Sequence, residues 1–529
     1  MTWDNRTLTI LFLVCCIVCS SESRYRDRDR RRGEKTGGGR MYSSAAAAAM
    51  PSTFPTVNLC SKDRDTKLLC YCSPDEAPAV PVTKADCVIL HKDFHQNDSA
   101  WQAFHHQNSL RHLKFTVHQT GYLDYLPTKY FQLLTNLTTL SIEYSQILVV
   151  KSYAFANLPN LELIQLINNH IEAIDQDAFA NHVSLTELNL VRNQITEIDR
   201  NAFRNLPALE KLFLSSNNIS NLHEDVFSAL GKLSDLKLDQ NQISVLTRDV
   251  FKGLGNLKTL KLTHNNLNFI GDTVFAELWS LQELELDDNR IERISERALD
   301  GLNNLKTLNL RNNRLKKLDN GVLRGVPALL SINLQENLLE TLTFYNVQPI
   351  MDNLVNNTSE LLLSDNRFIC DCRLAWVFEL RNRTRYQPLR MSLGKIECIP
   401  YENTMPSNEV IMNGISERSN SVNYKKSSFE MHPRDFNDRP YNDDEENDDE
   451  TYDFGTDAVH FIRLSSMRLE TLPCPETLLD PTELPLSRES IGMDIRSTYK
   501  SSTSHSVVSW WLLRSVLSLI SLRYLLFSL

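Results

Sequence analysis

Eight asparagines, at 169, 193, 217, 241, 265, 289, 313 and 337, recur every 24 residues without a slip. Each closes the pattern Leu-x-x-Leu-x-Leu-x-x-Asn, strict in six copies from Leu185 to Asn313 and with one isoleucine at 161–169 and 329–337. Leu137–Ser145 keeps the period with serine at the asparagine position, Leu110–His118 starts 27 residues before it, and Thr358–Asn366 starts 29 residues after the last regular unit. That makes about 11 repeats. A unit this short cannot bury its own apolar face, so the copies must stack. Within each, Leu-x-Leu alternates with period two, the signature of a short strand with its leucines inward. The asparagine that follows can satisfy exposed backbone groups of the turn and of its neighbour, forming a buried ladder. Further apolar columns run through Ile171 to Ile291 and Ile174 to Ile294. A phenylalanine column runs from Phe131 to Phe275 and becomes Leu299 and Leu323.

The pattern is that of a leucine-rich repeat. The fold class expected is an α/β repeat, a leucine-rich-repeat solenoid whose parallel sheet curves into a horseshoe, with disulfide-bonded caps at both ends. Eleven cysteines fit this plan. Cys15, Cys16 and Cys19 lie in the apolar run Ile10–Cys19 and leave with a secretory signal peptide, expected at 1–21. Cys60, Cys70, Cys72 and Cys87 precede the array, while Cys370, Cys372, Cys398 and Cys474 follow it. Zinc sites would need a second CxxC or a histidine pair, which these spacings lack. Four cysteines in each cap leave three connectivities open.

The remaining boundaries follow from composition. Residues 22–59 read as a disordered basic and Ala/Gly-rich arm. Its Arg24–Lys35 segment also fits dibasic processing, or binding to heparan-type polyanions or to the chain's own acidic stretch. The N-terminal Cys-rich cap is placed at 60–95, the repeats at 110–366, and the C-terminal cap at 367–404 and 456–474. Between those two pieces, 405–455 is an acidic disordered insertion containing Asp443–Glu450. It reads as a solvated spacer, with Tyr441 and Tyr452 in a setting that suits sulfation. A linker at 475–504 precedes an apolar tail at 505–529. Small residues, among them Ser501, Ser502 and Ser504, then a short polar spacer and an apolar end, make a glycosylphosphatidylinositol (GPI) signal. A retained transmembrane helix, or a packed or peripheral tail, are the other readings, and Arg514 and Arg523 bear on the choice. Anchoring places the protein on the outer leaflet of the plasma membrane.

Composition narrows function by exclusion. With 42% hydrophobic and 23% charged residues the chain is not disordered throughout. A net charge of −10 argues against nucleic-acid packaging. No nucleophile motif, phosphate loop or metal-ligand spacing accompanies the scattered histidines, so neither catalysis nor a cofactor is expected. Binding should use the outward strand positions, which alternate with the leucines. Two patches stand out there. Leu163, Ile167, Val191 and Phe213 are apolar on a face that meets water. Glu283, Glu285, Asp287 and Asp288 form an acidic band, with Lys211, Lys237 and Lys261 on neighbouring strands. A face of both signs can complement a second copy of itself, or its charges can pair locally. Glycosylation sequons at Asn97, Asn136, Asn218, Asn356, Asn357 and Asn382 avoid these positions.

The order of parts is signal, CSKDRDTKLLCYC cap, 24-residue repeats, NRFICDCRLAW cap, acidic stretch and apolar tail. It resembles the insect extracellular leucine-rich-repeat adhesion proteins, with roughly 60–400 carrying the match. The resemblance implies a GPI-anchored, homophilic cell-adhesion protein used in recognition between neurons and muscle. Its partner would be itself on an apposed cell. A co-receptor for a secreted or heterophilic protein ligand is the competing class. Resemblance to leucine-rich-repeat flanking modules further implies pairing of Cys60 with Cys72, Cys70 with Cys87, Cys370 with Cys398 and Cys372 with Cys474.

Overall fold

A computed structural model describes residues 59–60, 67–73, 81–105, 107–156, 158–400 and 460–474. The expected signal peptide, most of the basic arm, the acidic insertion, the linker and the apolar tail with its Ser501, Ser502 and Ser504 lie outside the described residues. So do Tyr441 and Tyr452.

The repeats build one 13-stranded sheet in which every strand sits beside its sequence neighbours. Leu68–Ser73 and Lys84–Ile89 open it as an antiparallel pair, and each later strand to Glu360–Leu362 adds in parallel. Register follows the period. Leu188, Leu212, Leu236, Leu260, Leu284 and Leu308 lie side by side, each fully or almost fully buried. Their neighbours in sequence face the other way and are half-buried, except Lys211, which is exposed.

The turn after each strand uses backbone that side chains normally avoid. Asn168, Arg192, Ser216, Gln240, His264, Asp288, Asn312 and Glu336 all have φ between 51° and 56°. For non-glycine residues this costs on the order of 1–2 kcal/mol each. The following asparagine offsets it. Asn217 donates through Nδ2 to the carbonyls of Leu190 and Leu214, both at 3.0 Å, and its Oδ1 accepts from the Ile195 amide at 3.1 Å. The same set recurs at Asn241, Asn265, Asn289 and Asn313. At the serine variant, Asn169 Oδ1 accepts from both the amide and the hydroxyl of Ser145, each at 2.7 Å.

Behind the sheet the phenylalanines stack. Ring centroids from Phe131 to Phe227 are 5.5–6.4 Å apart. Paired strands lie about 4.8 Å apart. The rear of each unit is therefore wider than the front, and the sheet occupies the concave side.

Both ends are sealed. Cys60 is bonded to Cys72 and Cys70 to Cys87. Beneath them Trp101 is fully buried among Phe94, Phe104, Phe115 and Tyr130. Its Nε1 donates to the Tyr125 hydroxyl at 2.9 Å, and burial pushes the Tyr125 phenol well above its ordinary range. At the far end Cys370 is bonded to Cys398 and Cys372 to Cys474. The helix Ala375–Arg383 caps the last repeats, with Trp376 Nε1 donating to the Leu342 carbonyl at 2.7 Å. No helix among the described residues is long and apolar enough to cross a membrane.

Candidate protein-binding face

Strand register aligns the outward side chains in three columns across the concave face. The first contains Thr139, Leu163, Glu187, Lys211, Asp235 and Thr259. The central one contains Ser141, Gln165, Asn189, Phe213, Lys237 and Lys261, then Glu285 and Asn309. The third begins Thr116, Glu143, Ile167.

The four apolar candidates lie on this face, with polar side chains between some of them. Gln165 separates Leu163 from Ile167 along their strand, and Phe213 stands two strands from Gln165. All four are half-buried. Lys237 Nζ lies 4.5 Å above the centre of the Phe213 ring. A cation over a partly exposed ring contributes roughly 0.5–1 kcal/mol. Phe213 and Lys237 are thus one composite element.

The charged candidates pair locally. Lys211 meets Glu187 at 3.5 Å and Lys261 meets Glu283 at 3.2 Å. Asn309 donates to Glu285 at 2.7 Å and Thr263 to Asp287 at 2.7 Å. Asp288 accepts from Asn312 at 2.6 Å and lies 2.9 Å from His264 Nδ1. Burial holds the Glu285 carboxyl above its ordinary range, helped by Asp287 and Glu283 and opposed by Asn309 and Lys261. For Lys261, burial works against the ammonium, but Glu283, Glu285 and Asp239 outweigh it and raise its pKa. Exposed ion pairs of this kind contribute about 0–1 kcal/mol each. A partner can therefore exchange them at small cost. Among the described residues no group of three or more His, Cys, Asp or Glu could hold a metal ion.

The six sequon asparagines are all exposed and all off the three columns. Asn136 sits before a strand, where its Nδ2 donates to the Asn108 carbonyl at 2.7 Å. Asn218 follows the buried Asn217, Asn356 and Asn357 end the helix Met351–Asn356, and Asn382 is in the cap helix.

The largest exposed apolar side chains lie elsewhere. Tyr144 is 51% exposed, Val183 57%, Val245 61% and Trp279 56%. The signal for them was available in the columns. Val183 and Trp279 each stand two residues before a repeat's first leucine, where other units carry proline, glycine, asparagine or, at Thr135, threonine. Trp279 packs against Gly255, whose missing side chain makes room for the indole.

The leucine-rich-repeat family model matches residues 135–195, 183–243, 231–291 and 279–339. Connectin of Drosophila melanogaster is 57% identical over 425 residues, covering 74% of this chain and 62% of that relative. The chain thus spans less than two thirds of the relative's length. Solved structures include the octameric complex of Latrophilin 3, Unc5D and FLRT2, 22% identical with a TM-score of 0.41 over 53% of this chain and 74% of that one. The Toll–Spatzle complex of Drosophila is likewise 22% identical, with a TM-score of 0.41 over 55% of this chain and 45% of that one. The chain is a leucine-rich-repeat protein, and it is connectin-like.

Proposed function

We propose that this protein is a cell-surface adhesion and recognition molecule that binds a second copy of itself on an apposed cell through its repeat array. The observation that carries the reading is the concave face. It is a continuous sheet surface of three aligned columns, rigidly backed by the asparagine ladder, with the six sequons among the described residues outside it. Mixed charges and half-buried apolar residues on that face suit a protein partner. Similarity to connectin supports the adhesive reading, and a neural or neuron–muscle setting is part of the proposal. A GPI anchor on the outer leaflet is the attachment proposed. It places the horseshoe outside the cell.

Individually weak contacts serve adhesion when many molecules act together on each membrane. The test is therefore cellular. Non-adhesive cells expressing the full chain are mixed with labelled non-expressing cells. Aggregates made only of expressing cells are expected, and Phe213→Asp, which disturbs no fully buried side chain, should abolish them. Mixed aggregates would point instead to a heterophilic partner. No aggregation with surface expression confirmed would refute adhesion and favour a co-receptor for a secreted ligand. Release of the protein from cells by a phosphatidylinositol-specific phospholipase tests the anchor.

A further inference from the structure

The edge of the array just past the buried asparagines carries a basic column. Counting from each unit's first leucine, positions ten, twelve and thirteen lie along this edge. Phe269 stands beside Arg293 there in a parallel pair of two-residue strands. Arg290 and Arg293, then Arg314, Lys316 and Lys317, occupy consecutive units, with Arg367 two units further on. All six are exposed. None makes an ion pair among the described residues, although Arg293 covers the Phe269 ring at 5.1 Å. Glu292 and Glu340 are the acids set among them. On a chain of net charge −10 this is an unusual excess of positive charge.

The same edge is where the chain leaves and returns. The Glu340 amide donates to the Lys316 carbonyl at 3.1 Å, and the Ile369 amide to the Glu340 carbonyl at 2.9 Å. Ile369 in turn pairs with Ile399, and Cys398 with Ile462. Lys316, Glu340, Ile369 and Ile399 are thus successive rows, which puts Ile399 roughly 15 Å from Lys316 at ordinary strand spacing. The described residues stop at Pro400 and resume at His460. Between them, Asp443–Glu450 holds seven carboxylates in eight residues, and Glu450 precedes His460 by ten. Ten residues reach up to about 35 Å when extended and about 18 Å as a root-mean-square span.

We infer that the acidic run Asp443–Glu450 of the same chain occupies this basic edge. Charge complementarity supplies the attraction. The tether holds the run at an effective concentration on the order of millimolar, which an external polyanion must exceed to displace it.

Zero-length carboxyl-to-amine cross-linking of the intact protein, read by peptide mass spectrometry, tests this. Cross-links from 443–450 should concentrate on Lys316 and Lys317 over Lys395 in the cap and Lys258 before its strand. Their yield should fall at least fivefold in the triple variant Arg290→Glu, Arg293→Glu, Arg314→Glu, which keeps both lysines. The unaltered protein in 1 M salt should show the same fall, without any question of misfolding. Cross-links spread evenly over Lys395 and Lys258, or a yield indifferent to both changes, would overturn the assignment. So would cross-links joining isotopically light to heavy chains, which would make a second copy the occupant. Heparin retention through these cations that is equal with and without the acidic run would make an external polyanion the occupant instead.

Discussion

Asn241→Ala tests the ladder that holds the face together. Asn241 Oδ1 accepts from the Ile219 amide at 3.1 Å, and its Nδ2 donates to the carbonyls of Leu214 and Leu238, both at 3.0 Å. The two carbonyls are doubly served. Asn217 also donates to Leu214 at 3.0 Å and Asn265 to Leu238 at 2.9 Å. The amide is not. Ile219 is 0% exposed, and its N–H has no other acceptor among the described residues. Truncation therefore orphans one buried donor, at about 1–3 kcal/mol. The vacated volume adds roughly 0.5–1 kcal/mol. The expected loss is about 1.5–4 kcal/mol in urea unfolding followed by circular dichroism. Asn241→Asp keeps the acceptor but aims a carboxylate at two carbonyls, so at pH 7 it should cost more than alanine and recover as the pH falls. Asn221→Ala serves as the control, because exposed Asn221 reaches only the Ser220 hydroxyl at 3.4 Å. An alanine variant within about 0.5 kcal/mol of the parent, the scatter of ordinary surface changes, would refute the reasoning.

Three further outcomes are expected. Gly255→Ala meets only the exposed indole of Trp279, so tryptophan fluorescence should shift with under about 0.5 kcal/mol of stability lost, whereas Gly325→Ala meets the main chain of Leu299 and Asp300 and should cost about 1–3 kcal/mol. Glu285, its carboxyl raised by burial above the ordinary 4.5, binds its proton more tightly folded than unfolded. Stability is therefore lost as pH rises from that ordinary value through the raised one. Glu285→Gln should be the more stable at pH 7, with the advantage vanishing toward pH 4 in paired denaturation curves. Removing Cys372–Cys474, which spans 102 residues, should lower stability by up to about 4.7 kcal/mol, against about 3 for Cys60–Cys72 across 12, measured by unfolding midpoint and secreted yield.

Much of this was legible because a fixed period turns sequence distance into lateral adjacency. Residues 24 apart become neighbours, so the leucine rows, the asparagine ladder and the phenylalanine stack could all be read directly. The same arithmetic finds Lys237 beside Phe213, Glu187 beside Lys211 and Asp288 beside His264. Contacts that cross columns obey no such rule. Arg248 meets Glu277, 29 residues on, because a long side chain chooses its rotamer by what lies diagonally ahead. The apolar candidates are interleaved with polar side chains for a related reason. Leu163 and Ile167 share a face, but the polar Gln165 between them also shares it. The N-terminal end was least legible, since the spacing slips to 27 there and Trp101 packs by shape rather than by repeat.

The spacing of 5.5–6.4 Å behind the sheet, against about 4.8 Å within it, has a consequence for self-recognition. A surface hollow along the direction of the repeats cannot match an identical hollow laid against it. Their centres would stand apart while their ends touched. If two copies use this face, something that bulges on one must enter the hollow of the other, and in a two-fold pair each does so at once. The protruding parts available are the caps and the edges. The footprint of homophilic contact must then include side chains outside the three columns, and substitutions confined to the columns would identify only one half of it.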